Sequence, residues 1–543
     1  MGRKKQLPIL RGVRIEDIGS EGNAIAKIDE MVLFVPGMIP GDIVDVRVTK
    51  KKKRYMEGVA LAVVSPSPDR IKPPCRHFGV CGGCRWQHLP YDRQLFYKAK
   101  QVTDNLTRIG HLSIGQVDQI LGSERIYGYR NKLEFTFSER RWLTREELET
   151  AESLKDSAAS SEQQWLTREE LETVESLIDS TVSSELLPGD ETAASTDHPG
   201  QPVPAKTLAG EKVSEDPPVS GPDNGKLTHG TPALGFHIPG IFDKVLDINE
   251  CLLMSEPADT IRNEVRRYAL ERNLQFYDFR EHRGFLRTMF VRITTTGEVM
   301  VVLVTTDRYS RERELLLEHI AGRFPEITSL WYVINTKKND SISDLTPIHF
   351  RGSEFITEQM EGLRFRIGPK SFYQTNSRQA AKLYGIVKDF AGLRGDENLY
   401  DLYTGTGTIA CYLASGADRV TGIEYIEEAV SDARLNARDN NIANAEFIAG
   451  DIKDIFNDAL FIERGRPDVI ITDPPRAGMH SDVTHAMLRS GAERIVYVSC
   501  NPATQARDIE VLSSSYDVVR IAPVDMFPHT FHVENVALLK KKK

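Results

Sequence analysis

The sequence predicts an α/β protein with a doubly wound C-terminal domain, a small N-terminal β-barrel and a mixed α+β domain between them. Three observations support this prediction. Helical and strand-like segments alternate from Thr375 onward, which is typical of a parallel-rich sheet covered by helices. Short alternating strands broken by Gly and Pro fill residues 8–66, as in small closed barrels. Strands and helices are mixed in residues 231–370.

The overall composition, with 40% hydrophobic and 27% charged residues, is ordinary for soluble globular proteins. No run of about 18 apolar residues occurs, so we expect no membrane span. The first residues, Met1-Gly-Arg-Lys-Lys, lack the apolar stretch of a secretory signal, and we expect a cytoplasmic protein. The six cysteines are too few and too clustered for a disulfide scaffold. In a reducing compartment, such clusters more often bind metal or act in catalysis.

The formal net charge of −9 is concentrated in one segment. Residues 139–230 hold 20 acidic and 8 basic side chains, whereas the rest of the chain holds 58 and 61. The net charge of the whole chain therefore does not indicate the charge of a ligand-binding surface in the rest of the protein. Within this segment, Trp142–Ser157 and Trp165–Ser180 match at 14 of 16 positions, which indicates a tandem duplication. Because residues 181–230 are rich in Pro, Gly, Ser and Asp, we predict an acidic, duplicated, disordered insert at 139–230 without a catalytic role.

The domain boundaries follow from these shifts in pattern. We expect a barrel at 1–66, a central domain formed by 67–138 and 231–370, and an α/β domain at 371–543. Within the last, strand-like runs occur at residues 398–402, 419–424, 468–473 and 494–499. Ligands of doubly wound folds bind beyond the carboxyl ends of the strands. Four chemically important residues fall at those ends: Asp401, Glu424, Asp473 and Cys500.

A glycine-rich turn follows the first of these strands. Gly405 and Gly407 let the backbone approach a ligand closely, where a Cβ atom would clash. Glu424 closes the next strand and is suited to accept hydrogen bonds from two ribose hydroxyls. These features by themselves also fit the dinucleotide pattern of NAD enzymes, because Ala410 completes it.

The sequence Asp473-Pro-Pro-Arg476 ends an apolar strand. Two prolines hold the chain extended and remove two hydrogen-bond donors. They form a rigid wall with a carboxylate at its edge, which suits a flipped-out base in a nucleotide-modifying methyltransferase. A plain proline-rich turn is the structural alternative.

Cys500 lies in Ser499-Cys500-Asn501-Pro502, at the end of the next strand. A thiolate that adds to C6 of a pyrimidine makes C5 an enolate-like nucleophile, and Cys500 is placed to do this once its pKa is lowered. After methyl transfer the C5 proton must leave, and Glu534 is a candidate general base. A buried small hydrophobic residue and a solvated glutamate are the respective alternatives.

Together these motifs resemble the RNA 5-methyluridine methyltransferase family. Gly368-Pro-Lys-Ser-Phe-Tyr-Gln374-Thr-Asn376 is similar to its motif for the cofactor, S-adenosylmethionine (SAM). The resemblance implies a Rossmann-like methyltransferase domain, with Cys500 as nucleophile and Glu534 as general base. It also implies cofactor contacts at five positions: Gln374, Tyr403, Glu424, Asp473 and, as a weaker candidate, Asp451.

The resemblance extends to the N-terminal half. Residues 8–66 resemble the family's RNA-binding TRAM barrel, and the basic run Lys50–Arg54 at a predicted hairpin tip is either a phosphate contact or a solvated turn. The resemblance implies a [4Fe–4S] cluster held by four cysteines: Cys75, Cys81, Cys84 and Cys251. On ligand chemistry alone, four cysteines suit a structural zinc ion equally well, or stay free thiols.

The family resemblance favours methylation of a uridine in 23S ribosomal RNA, because relatives that act on transfer RNA usually lack the barrel and the cysteine cluster. A tRNA uracil-5-methyltransferase is the alternative within the family. RNA cytosine-5 methylation is disfavoured because Arg476 stands where those enzymes usually carry a second cysteine. A non-catalytic RNA chaperone or assembly factor is disfavoured by intact Cys500 and Glu534. We expect a monomer with RNA as its partner.

Overall fold

The computed structural model describes residues 7–143 and 232–543. The chain divides into two compact units, one formed by residues 1–138 and 233–543 and the other by residues 139–232. The predicted duplicated, disordered insert lies almost entirely outside the described residues. Within the second unit, the structure describes the short strand β9 (Arg141–Trp142). Among the described residues, no helix has both the length and the apolar character needed to cross a membrane.

The N-terminal strands form one antiparallel-rich sheet in the order β1-β5-β6-β4-β3-β2. These strands are β1 (Ile9–Arg14), β2 (Asp17–Ile18), β3 (Ala24–Ile28), β4 (Met31–Val35), β5 (Ile43–Lys51) and β6 (Tyr55–Ser65). The edge strands β1 and β2 are consecutive segments of one bent stretch, which pairs first with β5 and then with β3. The sheet therefore closes on itself as the predicted small barrel. Alternate side chains fill its interior, among them Leu33, Val35, Val44 and Val46.

A second sheet, central in the sequence, contains strands in the order β15-β14-β13-β12-β8-β10-β11. They are β8 (Lys132–Ser138), β10 (Ala233–His237), β11 (Val245–Asp247), β12 (Leu286–Ile293), β13 (Val299–Thr305), β14 (Ile327–Ile334) and β15 (Ile348–Gly352). The helices Ala258–Glu271 and Ser310–Arg323 accompany it. Ser138 at the end of β8 is the direct antiparallel partner of Ala233 at the start of β10. The 139–232 unit is thus inserted between two neighbouring strands.

The C-terminal sheet has the order β20-β19-β18-β21-β22-β24-β23-β7. Its strands are β7 (Ile114–Val117), β18 (Asn398–Leu402), β19 (Arg419–Glu424), β20 (Ala445–Ala449), β21 (Val469–Thr472), β22 (Arg494–Ser499), β23 (Tyr516–Val524) and β24 (Glu534–Lys541). The first five in this order are parallel. β24 lies between β22 and β23 and is antiparallel to both. All four predicted strands of this domain are confirmed, and so is the predicted α/β fold class.

Helices cover both faces of this sheet, because the parallel strands are apolar on both sides. The helices are Ser377–Ala391, Thr408–Leu413, Glu427–Asp439, Ile452–Ile455, Asp458–Arg464, Ser481–Ser490 and Pro502–Leu512. Short 3-10 turns occur at Ser20–Gly22 and Ala414–Gly416. A hairpin of β16 (Ile356–Met360) and β17 (Leu363–Ile367) packs against one face.

A helix begins at Tyr91 and changes from α-helical to π-helical geometry at Asn105. Its residues Val102 and Leu106 lie in the core of the C-terminal sheet. The strand β7 that follows pairs with β23. The segment between the barrel and the central sheet therefore supports the C-terminal sheet, whereas the sequence pattern had grouped it with the central domain.

Candidate active site

The candidate site lies where strand order reverses, at β18 between β19 and β21, beyond the carboxyl ends of the parallel strands. Cys500 follows β22 directly, and Glu534 begins β24. The antiparallel register pairs Ser499 with Asn535, so Cys500 and Glu534 lie side by side. Residues 34 positions apart in the sequence are thus neighbours in the fold.

The glycine-rich turn after β18 is held by Glu424. The carboxylate accepts the Gly405 N–H at 3.1 Å and the Ile426 N–H at 3.0 Å. Tyr403, Gly405 and Gly407 all have left-handed backbone angles, with φ of 64°, 55° and 76°. A Cβ atom on Gly405 would meet open space, where a ligand can approach the backbone.

Cys500 is surrounded by acidic groups. Burial, followed by the nearby carboxyls of Glu534 and Asp473, raises the pKa of the Cys500 thiol to about 11. Arg476 opposes this shift through its charge and a hydrogen bond. The Asn501 amide donates to the Arg476 carbonyl at 3.0 Å, which joins the Cys500 loop to the Asp473-Pro-Pro-Arg476 loop.

Burial raises the pKa of three carboxyls at the strand ends, those of Asp401, Asp473 and Glu534. Burial and then Asp473 raise the pKa of Glu534 to about 8, with Arg476 opposing. Burial and then Asp401 raise the pKa of Asp473 to about 7. Burial also raises the pKa of Asp401 to about 7, although the Thr404 hydroxyl donates to it at 2.6 Å. This cluster of carboxyls favours a cationic ligand.

Gln374 lies before the helix Ser377–Ala391, and its carbonyl accepts a hydrogen bond from the Asn131 amide at 2.9 Å. Tyr384 on that helix is buried beside the carboxyl cluster. Burial and the nearby Asp473 and Asp401 raise its pKa, while a hydrogen bond from Gln374 opposes the shift. Sequence reasoning missed Tyr384, because a tyrosine on the apolar face of a helix has the pattern of an ordinary core residue.

Asp451 lies at the edge of the site. Gly450 donates its N–H to the Glu424 carbonyl at 2.8 Å, which brings Asp451 close to the end of β19. The Asp451 side chain caps the short helix Ile452–Ile455 and pairs with Lys453 at 2.8 Å. The hydrogen bond and charge of Lys453 lower its pKa.

The four cysteines of the predicted cluster line one cavity of about 970 Å³. Cys75, Cys81, Cys84 and Cys251 are all free thiols in this cavity. Burial raises the pKa of Cys84 to about 12 and of Cys251 to about 11. In the described ranges 7–143 and 232–543, no three His, Cys, Asp or Glu side chains form a group that could hold one metal ion. The same cavity reaches residues next to the carboxyl cluster, including Gln374, Arg476 and His532.

Two family models match the chain. Residues 352–542 match the model of the tRNA (uracil-5-)-methyltransferases, and residues 11–61 match the TRAM domain. A protein of Porphyromonas gingivalis is 48% identical over 97% of this chain and 99% of its own length. A protein of Bacteroides thetaiotaomicron is 46% identical over 96% of this chain and 100% of its own length. Both are described as uncharacterized RNA methyltransferases.

The chain belongs to the RNA uracil-5-methyltransferase family. The prediction of that family, including its TRAM barrel and its use of SAM, is confirmed. A solved structure of a Pyrococcus abyssi tRNA (uracil-54, C5)-methyltransferase with S-adenosyl-L-homocysteine is also similar, with a TM-score of 0.65 and 26% identity. The match spans 98% of this chain and 100% of the Pyrococcus abyssi chain. The likeness of this chain to that structure therefore includes the barrel as well as the C-terminal domain.

Proposed function

We propose that this protein converts a uridine of RNA to 5-methyluridine, with Cys500 as nucleophile and Glu534 as general base. The observation that carries the proposal is the pairing of β22 with β24, which sets a thiol next to a buried carboxyl. Arg476 is the cation that favours the thiolate at this position. Such a pair serves a reaction that needs a nucleophile first and a base later.

The reaction follows from these groups. The Cys500 thiolate adds to C6 of the uracil, and the electron pair of the C5–C6 double bond makes C5 nucleophilic. When bound, SAM would supply the methyl group that C5 takes up, with S-adenosyl-L-homocysteine as the leaving group. Glu534 then removes the C5 proton, the double bond re-forms, and the thiolate leaves C6. A pKa of about 8 makes the ionised form of Glu534 a stronger base than an ordinary glutamate, and only this ionised form takes the proton.

The residues at the strand ends fit SAM as the ligand. Gln374, Tyr403, Glu424 and Asp473 are the proposed contacts, with Asp451 at the rim. The open space beside Gly405 admits a ligand against the backbone. The cationic sulfonium and amino groups of SAM suit the buried carboxyl cluster, and their binding is expected to lower the pKa values of Asp401 and Asp473.

We further propose a [4Fe–4S] cluster at Cys75, Cys81, Cys84 and Cys251. The four thiols line one cavity, and cysteine thiolates are the ligands that hold [4Fe–4S] clusters. Four thiolates also suit one structural zinc ion, so the metal content of the purified protein distinguishes the two. Anaerobically purified protein is expected to be brown and to contain about four iron atoms per chain. A colourless protein with one zinc ion would contradict the cluster.

The RNA is proposed to be 23S ribosomal RNA, on the family resemblance. The exposed basic turn Lys51–Arg54 of the barrel is available for phosphate contacts, while Lys50 pairs with Glu57 at 2.9 Å. Transfer RNA is the second candidate, because the similar Pyrococcus abyssi tRNA enzyme shares the barrel. Mass mapping of 23S rRNA and tRNA from a deletion strain distinguishes the two by which RNA loses 5-methyluridine.

The chemistry is tested with RNA that carries 5-fluorouridine. Because fluorine cannot leave C5 as a proton does, the wild type is expected to form a stable methylated adduct with 23S or transfer RNA transcripts. Cys500→Ser serves as the control and forms none. Binding of SAM without any adduct would support an RNA chaperone or assembly factor instead. Adduct on fluorocytidine RNA alone would support cytosine methylation.

A further inference from the structure

The loop of residues 525–533 joins β23 to β24 and ends on Glu534. The register pairs Val524 with Glu534, so the loop closes a hairpin whose second strand begins with the proposed base. Hairpin loops usually lie on the surface, yet Asp525 and Met526 are fully buried here. The Asn376 amide donates to the Met526 carbonyl at 3.0 Å.

A buried ion pair fixes the start of this loop. Lys98 Nζ lies 2.6 Å from Asp525 Oδ1, and both side chains are fully buried. The same ammonium donates to the Phe527 carbonyl at 3.0 Å, and the Phe527 N–H donates to Asp525 Oδ1 at 3.0 Å. The Tyr91 hydroxyl donates to Asp525 Oδ2 at 2.9 Å. Lys98 and Tyr91 belong to the helix Tyr91–Asp104.

A second attachment holds the middle of the loop. The His529 N–H donates to the Gln94 side-chain oxygen at 2.9 Å. The Gln94 side-chain nitrogen lies 3.2 Å from His529 Nδ1. The N–H groups of Arg85 and Trp86 donate to the His529 carbonyl at 2.8 and 3.0 Å. The loop is thus held at two points by elements from the N-terminal part of the chain.

Stability alone does not require an ion pair at this buried position. Apolar side chains of similar size often stabilise a buried site as well as a buried ion pair does. Charged groups with several hydrogen bonds add a fixed direction, because each donor must meet its acceptor. The Lys98–Asp525 pair fixes the backbone of Phe527 through both its N–H and its carbonyl.

We propose that Lys98 and Asp525 are positioning residues for proton removal, since they hold the loop that sets Glu534 against the substrate C5. The proposal rests on the proposed function, with Glu534 as base. Neither residue touches the reacting atoms in this account. Their loss is therefore expected to slow the last step of the reaction and to spare the first.

The test is Asp525→Asn in single-turnover reactions with labelled SAM. This substitution keeps an oxygen for the Phe527 N–H and removes the charge. Resolution of the methylated RNA adduct is expected to slow about tenfold or more, so that adduct accumulates on uridine RNA. Formation of adduct on 5-fluorouridine RNA is expected to stay within about threefold of wild type.

Glu397→Gln is the matched control. Glu397 is also buried and pairs with Arg494 at 2.8 Å, but this pair lies at the opposite, amino-terminal end of the strands. A purely structural role predicts that both variants lose stability and that neither accumulates adduct. Equal slowing of adduct formation and resolution by Asp525→Asn would also overturn the proposal.

Tyr91→Phe removes one hydrogen bond from Asp525 and tests the proposal if Asp525→Asn does not fold. It is expected to slow adduct resolution several-fold, and an unchanged rate would count against the positioning role. Glu534→Gln separates this proposal from the proposed function. If Glu534→Gln resolves its adduct normally, the base assignment fails, whatever Asp525→Asn does. If Glu534→Gln stalls and Asp525→Asn does not, the positioning role alone fails.

Discussion

At the scale of single residues, the site sets Cys500 among carboxyls that are costly to ionise. Asp401, Asp473 and Glu534 have raised pKa values because burial penalises their charged forms. Arg476 is the cation that faces Cys500 and Glu534, and it also lies 3.0 Å from His532 Nδ1. Burial and then Arg476 lower the pKa of His532 to about 4. The neutral ring therefore leaves the arginine charge available to the thiolate.

The raised pKa of Glu534 has a consequence for stability. Its pKa is about 8 in the folded protein, against an ordinary 4.5, so folding favours the neutral form. The wild type therefore loses stability as pH rises from about 4.5 toward 8. Glu534→Gln cannot ionise, and it is expected to be more stable than wild type at pH 8 by on the order of 1–3 kcal/mol.

Denaturant unfolding of the SAM-free proteins checks this expectation. The stability difference between Glu534→Gln and wild type should be small near pH 5 and grow toward pH 8. A difference that is constant with pH would show that the carboxyl does not titrate in this window. Glu463→Gln, at an exposed side chain, controls for the loss of one carboxylate from the whole molecule.

At the scale of elements, the sequence was most informative where a motif is local. The strand ends, the glycine turn and the Cys500 loop each need only a few consecutive residues, and all lie where the pattern predicted. The contacts of the loop that precedes Glu534 are not local in sequence. Lys98 and Asp525 are 427 positions apart, and no periodicity connects a lysine on one helix with an aspartate in a distant loop. For this reason the contact between Lys98 and Asp525 could not be predicted from the sequence.

The glycine turn allows cofactor binding to be separated from folding. Gly405→Ala places a Cβ in open space, so its main structural cost is the left-handed backbone, about 1 kcal/mol. On Gly407 a Cβ would lie 2.8 Å from that of Ala433 and against Phe447, which adds roughly 1–3 kcal/mol of overpacking. Gly405→Ala is expected to weaken SAM binding about tenfold while folding normally.

Calorimetric SAM binding and thermal unfolding of both glycine variants check this expectation. Gly407→Ala should show the larger drop in melting temperature. If Gly405→Ala binds SAM as wild type does, the open space beside this turn is not where the cofactor lies.

At the scale of the whole molecule, the second unit is inserted in the chain between β8 and β10. Ser138 and Ala233 are direct partners on adjacent antiparallel strands, so a two-residue turn can join them. The sequence predicted that the segment has no catalytic role because of its composition and duplication. It gave no hint that the flanking residues meet in a strand pair, since this pairing spans 95 positions.

Deletion of residues 139–232 with an Asn-Gly turn between Ser138 and Ala233 is expected to give a folded, active protein. The rate of adduct formation on 5-fluorouridine RNA should stay within about twofold of the full chain, because the central sheet keeps its strand pairing. Size-exclusion chromatography of both proteins also tests the expected monomer. A deletion protein that binds SAM but forms no adduct would assign the segment a role in RNA binding.

The place of β24 between β22 and β23 bears on how the protein is made. Both neighbours leave the ribosome before β24 does, and until then each has an open edge at the centre of the future sheet. The unpaired N–H and C=O groups of such edges can pair with strands of other chains. A nascent chain that lacks β24 also lacks Glu534, so it holds Cys500 without its partner. Closure of the sheet and completion of the proposed catalytic pair are thus one event in biosynthesis.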